Sequence, residues 1–374
     1  MSRVSSFGLA VATGLLALAP AGLAAQGTDT NPDNTPYGTT SAEFLLFGAG
    51  ARGTALGDAF AAVANDISSL YYNPGAVALI ERPGAMVSTY DYVAETNYSW
   101  GGIAFPFSGG SRSFGLQIGT FGFDNQPVYT VDQPDGTGAV YSVSQTFAGA
   151  TFAQNFSDRF AAGLTAKFVF DQLGEVNGSA FAVDFGTSFH AMLSNHPIKL
   201  AFVVANLGTD LKYSGDALEV DSPRDPADPT VDNPPELPQP AELKTKGFAL
   251  PTVFKVALAY DLLTSDQSRL TVMGDFNQAN NNRAGFAGGT EWAMNKLGGS
   301  NFGVALRGSY TYQPANNITV NQATALNDEE SLQGLAFGGG LMYATEGINL
   351  GFDYAYKYLG ILGATNFFTM SVGW

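Results

Sequence analysis

His190 and His196 are the only histidines of this 374-residue chain and no cysteine accompanies them, which leaves little for nucleophilic or metal chemistry. The histidine spacing, with Pro197 following, matches no zinc-ligand pattern. A serine hydrolase built on His190 needs a positioned acid as its third member; a histidine hydrogen-bonded among polar neighbours is the simpler reading. Lys167, Asp171, Asp184, Lys255, Asp275, Arg307, Asp353 and Lys357 mix both signs and lie in segments of alternating character. Charges so placed pair with each other or with a packed insert, and their functional alternative is a polar route or a seat for a ligand headgroup. Gly48-x-Gly50-x-x-Gly53 matches the dinucleotide fingerprint, but no βαβ unit follows it. Close backbone packing explains those glycines better, and no cofactor or metal motif remains.

The elements that carry these residues read as strands. Segments of strand character fall at about 84–93, 98–107, 113–123, 141–155, 159–171, 179–192, 198–207, 248–261, 269–277, 284–294, 301–312, 333–344, 348–356 and 365–374. In the fifth, Phe160, Ala162, Leu164, Ala166, Phe168 and Phe170 share one face; Arg159, Gly163, Thr165, Lys167 and Asp171 share the other. The split recurs with Phe181, Val183, Phe185 and Phe189 against Asp184, Ser188 and His190, and with Leu350, Phe352, Tyr354 and Tyr356 against Asn349, Asp353 and Lys357. A soluble sandwich would hide the apolar face between two sheets. Charge confined to one face, over an even number of strands, instead fits a fourteen-stranded antiparallel transmembrane β-barrel with lipid outside and a polar lumen.

Composition and charge agree. The chain has 45 glycines, 28 Phe and 16 Tyr, with 13% charged residues, where soluble proteins carry about 25%. A formal net charge of −16 excludes nucleic acid as a partner, since phosphate binding needs clustered Lys and Arg. Arg3, the apolar run 7–18 and the small residues Gly22, Ala24 and Ala25 read as a secretory signal peptide over 1–25. No later stretch is apolar for long enough to cross a bilayer as a helix, so any crossing is made by strands. Long connections such as 124–140, 208–247 and 313–332 alternate with tight turns such as 108–110, 157–158 and 345–347. That places the long loops outside the cell, and both termini, with residues 26–41, on the periplasmic side of an outer membrane. Loop 208–247 is rich in proline and carboxylates (Asp221, Asp225, Asp228, Asp232, Glu236, Glu242) and is expected to be extended and solvated. It lacks the Asp-x-Asp-x-Asp-Gly calcium pattern.

Two segments carry more specific signals. The last strand presents Phe368, Met370, Val372 and the terminal Trp374 on one face, with Thr365, Phe367, Thr369, Ser371 and Gly373 on the other. It resembles the C-terminal strand by which the outer-membrane assembly machinery recognises barrels. Residues 42–82 are small and apolar without sustained alternation, as expected of a plug. Within them Asp66 is placed to cap a short helix over 66–72, and Asn73 before Pro74 to end it. Gly50-Ala51-Arg52-Gly53, Leu56-Gly57-x-Ala59-Phe60, Ala64-Asn65-Asp66 and Tyr72-Asn73-Pro74-Gly75 resemble the N-terminal signature of the PorV/PorQ branch of the FadL superfamily. Ile80-Glu81-Arg82-Pro83 is similar to the boundary before the first FadL strand.

The resemblance implies a barrel over 83–374 with residues 42–82 folded inside as a hatch, and Arg52, Gly53, Gly57, Asp66, Asn73 and Pro74 as hatch residues. It implies no enzyme activity. Its leading functional implication is type IX secretion, with exported proteins or secretion-machine components as partners; its rival is FadL-like uptake of long-chain fatty acids or other hydrophobic compounds, and a third reading is a structural barrel without transport. Membrane lipid is a partner in every case. Uptake requires a greasy path to a gap in the wall, for which Gly115, Gly119 and Gly122 make the third strand the candidate for a kink. The expected lumen faces of Gly, Ala, Ser, Thr and charge suit a packed plug or a peptide better than an acyl chain.

Overall fold

Alternation of apolar and polar residues does most of the work of building this chain. The computed structural model describes residues 35–222, 239–314 and 333–374. The signal-peptide stretch 1–25 and the proline-rich part of the long loop, 223–238, lie outside the described residues. Seven strands run β1 Gly84–Asp91, β2 Asn97–Phe107, β3 Arg112–Pro127, β4 Val140–Ser157, β5 Phe160–Leu173, β6 Val176–Leu193 and β7 His196–Gly208. Three short ones follow, β8 Lys212–Gly215, β9 Glu219–Ser222 and β10 Gln239–Glu242. The last seven are β11 Val253–Thr264, β12 Ser268–Ala279, β13 Gly285–Met294, β14 Phe302–Tyr312, β15 Leu335–Ala344, β16 Asn349–Tyr358 and β17 Ala364–Gly373.

Strands β1–β7 and β11–β17 pair antiparallel with their neighbours in order, β7 with β11 and β17 with β1, and close a fourteen-stranded barrel. Closure leaves no unpaired edge, which is what permits strands in a bilayer. Along β5, Leu164 and Phe170 are exposed on the outer face, while Thr165, Lys167 and Asp171 are buried inside. The same parity puts Phe368, Met370, Val372 and Trp374 outside, and Phe367 and Thr369 inside. The resulting apolar exterior is far larger than a water-soluble monomer exposes. Among the described residues no helix is long and apolar enough to cross a membrane.

Tight turns join the strands at one end of the barrel. Ser194 and Asn195, with φ of 50° and 70°, make the two-residue β6–β7 turn, a conformation that matches strand twist and tolerates Asn. Most connections at the other end are longer, with Gly174–Glu175 the short exception. Strand β11 starts later than the alternation suggests, at Val253, because Pro251 has no N–H to give the ladder; Phe248 bridges Leu211 instead. The long loop is also not uniformly extended. Its first part adds β8 to the edge of β6, and β9 and β10 form a ribbon of their own.

Residues 42–82 fill the lumen with α1 (Ala51–Ala55), α2 (Ser69–Tyr72) and 3-10 turns at Glu43–Leu46 and Pro74–Leu79. The helix expected over 66–72 begins only at Ser69, because the Asp66 carboxylate ties down the Ser68 N–H in a turn first. Residues 35–41 are not at the short-turn end with Pro83. Thr40 bridges Ala249, Asn281 donates to Thr40 Oγ1 at 2.7 Å, and Ser41 Oγ bonds Tyr213 Oη at 2.7 Å, all at the long-loop end. The chain therefore threads the barrel from end to end, leaving the lumen where the Trp374 N–H donates to the Pro83 carbonyl at 3.0 Å.

Candidate functional site

The hatch meets two chemically different walls. On the β12–β16 side, Arg52 of α1 places its guanidinium between Glu291 of β13 and Asp66 of the hatch, each at 2.8 Å. Glu291 also holds Arg307 of β14 at 2.9 Å and Arg269 of β12 at 3.3 Å, and Arg307 reaches Asp353 of β16 at 2.5 Å. Glu291 of β13, Arg307 of β14 and Asp353 of β16 lie on the inward parity, so one stretch of wall, with β15 bridged by the Arg307–Asp353 pair, presents a chain of alternating charge to one hatch residue. Burial alone would lower the Arg52 pKa, but the charges of Glu291 and Asp66 outweigh it and hold the guanidinium well above its ordinary value.

One turn further, Lys357 of β16 reaches hatch Asp58 at 3.0 Å, and the Tyr72 hydroxyl donates to the same carboxylate at 3.0 Å. Burial pushes the Asp58 carboxyl up. The charges of Lys357 and Lys255 and these two hydrogen bonds push it down further, to below its ordinary value. Across the lumen Lys167 of β5 pairs with Asp184 of β6 at 2.6 Å and donates to Asn206 Oδ1 at 2.9 Å. Pairing is thus the rule, with three departures: Lys255 of β11 has no ion pair among the described residues, and Asp171 and Asp275 have none either. Asp171 accepts from the Tyr213 hydroxyl and the Gln145 amide at Oδ2 only, and its buried Oδ1 has no hydrogen-bond partner among the described residues. Both oxygens of buried Asp275 lack a hydrogen-bond partner among the described residues.

The wall formed by β1–β4 and β17 is aromatic. Tyr90, Tyr98, Trp100, Phe147 and Phe367 are buried on inward positions, and Tyr90 packs on Phe367 with ring centroids 3.8 Å apart and planes tilted by 37°. Half-buried Tyr92 and Phe121 close the group toward the long loops, and hatch Phe47 lies 4.7 Å and 5.1 Å from their ring centres. Hatch Phe44 faces Phe147 at 6.1 Å. This differs from the expectation of lumen faces dominated by Gly, Ala, Ser, Thr and charge. Strands β2 to β4 carry aromatics on both faces, so hydrophobicity alone does not reveal their inward rows, although parity with the exposed Phe105 and Phe114 does. The same parity rule, with Phe286 and Trp292 outside, finds Glu291, which the pattern of lumen charges had left out.

Asn73 fixes the hatch against a third stretch of wall. Its amide donates to the carbonyls of Ala61 at 2.9 Å and Thr187 at 3.1 Å, and its Oδ1 accepts from the Gly75 N–H at 3.0 Å. Pro74 and Gly75 press against Gly163 of β5 and Gly186 of β6 so closely that a Cβ at any of the three glycines would strike backbone or the Asn73 amide. Gly53 is similarly covered by the Tyr72 ring, and Gly57 adopts a φ of +67° next to Ser309. No bulge falls at Gly115, Gly119 or Gly122, the positions expected to kink. Pairing of β3 with β2 and β4 is continuous through all three, and the bulge lies between Phe123 and Gln126. The glycines are needed for contact instead: Gly115 accommodates hatch Leu70 and Gly119 the Phe147 ring.

Hollows occur at the short-turn end. One of about 620 Å³ lies between Asp66, Ile67 and Ile80 of the hatch and strands β1 and β15–β17. An apolar hollow of about 500 Å³ on the outer face shares Met86, Met342, Gly351 and Ser371 with it, so only a glycine-thinned wall separates lumen from lipid there. His190 lines a third, of about 370 Å³, where its Nε2 is 3.0 Å from Ser188 Oγ; no carboxylate completes a triad among the described residues.

No protein-family model matches the chain, and no curated protein matches its sequence. Among solved structures, the toluene transporter TbuX of Ralstonia pickettii superposes with a TM-score of 0.52 at 12% identity, covering 88% of this chain and 98% of TbuX. This chain has the fold of the FadL-family outer-membrane barrels. The toluene transporter TodX of Pseudomonas putida gives 0.51 at 10% identity, with 87% and 96% covered, and the monoaromatic hydrocarbon channel CymD gives 0.50 at 11%, with 87% and 96% covered. None of these singles out the PorV/PorQ branch.

Proposed function

We propose that this barrel resides in the outer membrane and carries small hydrophobic molecules, single-ring aromatics among them, from the long-loop end into the bilayer. The observation that carries the reading is the aromatic wall of β1–β4 and β17, which faces the lumen beneath the long loops and whose outermost rings are only half buried. Apolar rings in a concave site with few convergent polar groups are the usual lining for an apolar ligand. The fold shared with toluene and monoaromatic hydrocarbon channels supports the same ligand class. The exit we assign to the thin wall at Gly351 and Ser371, where inner and outer hollows share their lining. The charged network on the adjoining wall, β12–β16, then has a mechanical role, holding the hatch while the aromatic side admits the ligand. Phe368, Met370, Val372 and Trp374 serve assembly, and the short-turn end faces the periplasm.

Type IX secretion, implied by the N-terminal signature, draws no support from the comparisons. Uptake of labelled toluene and of labelled oleate into cells carrying the barrel, against cells carrying an assembled unrelated barrel, tests the reading. Faster toluene entry supports it. Equal rates for both compounds, with exported proteins recovered on the purified barrel, would make secretion the better reading.

A further inference from the structure

Hatch Phe47 sits where an aromatic ligand would sit. Its ring lies 4.7 Å from Tyr92, 5.1 Å from Phe121 and 6.0 Å from Tyr98, the last two edge-on at 84° and 69°. These are the separations and tilts that aromatic rings prefer when they recognise one another. Beneath them Tyr98 is completely buried, Tyr90 packs on it at 5.2 Å, and Phe367 packs on Tyr90 in turn. The cage therefore has a closed floor of buried rings and a half-buried mouth formed by Tyr92, Phe121 and Phe47 itself. Of these rings, only Phe47 belongs to the hatch; Tyr90, Tyr98, Phe121 and Phe367 stand on wall strands and Tyr92 on the loop directly after β1.

Phe47 is also the ring best placed to leave. It adopts extended backbone at φ −76°, ψ 139°, just after the Glu43–Leu46 turn, and it makes no side-chain hydrogen bond because it has none to make. The turn before it is secured at its far end by Asn281 and Ala249, and α1 after it by Arg52, so the link between them can swing without either anchor breaking. The Tyr71 hydroxyl donates to the Leu45 carbonyl at 2.9 Å, the one side-chain bond that steadies this link from the hatch side.

We propose that Phe47 is a built-in occupant of the aromatic cage, and that a single-ring aromatic ligand binds by replacing it, so that ligand arrival frees the link around Phe47 while the anchors at Glu43 and Arg52 hold. The inference rests on the hydrophobic-uptake reading and adds its gate. Replacing one benzyl group by a similar ring conserves apolar burial, so the exchange depends on concentration and on ring size. Long alkyl chains, lacking the flat ring, do not substitute for Phe47 in this cage. While Phe47 is seated, the apparent affinity for ligand is reduced by the fraction of time the cage is free.

The test uses the full-length barrel in detergent with toluene as the probe, measuring binding together with hydrogen exchange of residues 43–48. In the wild type, saturating toluene should raise exchange within 43–48. Phe47→Ala should bind toluene about tenfold more tightly by removing the competitor, and Phe47→Trp, with a larger occupant, should bind it more weakly. Heat-modifiable migration establishes that each variant is assembled; if Phe47→Ala is not, the wild-type exchange and Phe47→Trp decide. Toluene that saturates the wild type while exchange at 43–48 stays constant or falls would overturn the gate and leave the uptake reading standing. Failure of the wild type and of both variants to bind toluene would remove both.

Discussion

Asp58 shows how a single hatch residue can report on the whole plug. Its carboxylate faces Lys357 at 3.0 Å and accepts from Tyr72, and the net effect of its surroundings is a pKa below the ordinary 3.8. A depressed carboxylate contributes stability that is fully present above its unfolded pKa, near pH 4, and is lost as pH falls through the still lower folded value. Hatch stability should therefore be level from about pH 7 to about pH 5 and decline below about pH 4. Asp58→Asn should lower the plateau and flatten the decline, so that the two proteins converge in acid. Melting of the hatch, followed from about pH 7 to about pH 2 in both proteins, checks this; parallel curves would show that Asp58 is not a stabilising charge. The chemistry of the residue was hidden in the sequence, because Asp58 lies in a stretch with no periodicity and its partner is 299 positions away.

Asn73 and its neighbours act as an element, the corner at which two short helical turns of the hatch meet and lock to β5 and β6. Asn73 is fully buried and serves as the end of one turn and the start of the next, with its side chain satisfying Gly75 and two carbonyls. Removing it leaves buried donors and acceptors without partners, at a cost of about 2–4 kcal/mol. The barrel has its own closed ladder, so Asn73→Ala should leave heat-modifiable barrel intact while exchange protection over residues 61–80 falls. Loss of the barrel itself, or unchanged protection over 61–80, would contradict this division of labour. Asn-Pro-Gly was legible as a corner, since Asn before Pro is driven to extended geometry; its grip on Thr187 was not, because nothing local to residue 73 refers to β6.

At the scale of the molecule, the chain passes through its own barrel. Residues 35–41 lie among Ala249, Asn281 and Tyr213 at the long-loop end, whereas Pro83 and Trp374 meet at the short-turn end. A cysteine at exposed Thr39 should thus be labelled from the same side of the membrane as one at Asp135 in the β3–β4 loop, and from the opposite side to one at Ser108. With impermeant reagent on intact cells, we expect Thr39→Cys and Asp135→Cys to react and Ser108→Cys not to. Labelling of Ser108 together with Thr39 would show that the threading is wrong; labelling of Ser108 alone would reverse the orientation.

All fourteen wall strands could be read from the sequence because a barrel strand has two solvents, and each writes its own residue type at every second position: Leu164, Phe168 and Phe170 for lipid, Thr165, Lys167 and Asp171 for the interior. Parity even assigns Glu291 and Tyr98 to the lumen. Tertiary structure alone decided what each inward residue meets there. The hatch has no period, so its contacts follow from shape: Arg52 finds Glu291, Leu70 finds Gly115, and Phe47 finds Tyr92 and Phe121 only once the barrel has closed. The glycines of β3 show the difference most directly. Their composition suggested a bend, but close packing of Gly115 on Leu70 and of Gly119 on Phe147 requires the same missing side chains in a continuously paired strand, and only the surrounding atoms distinguish the two.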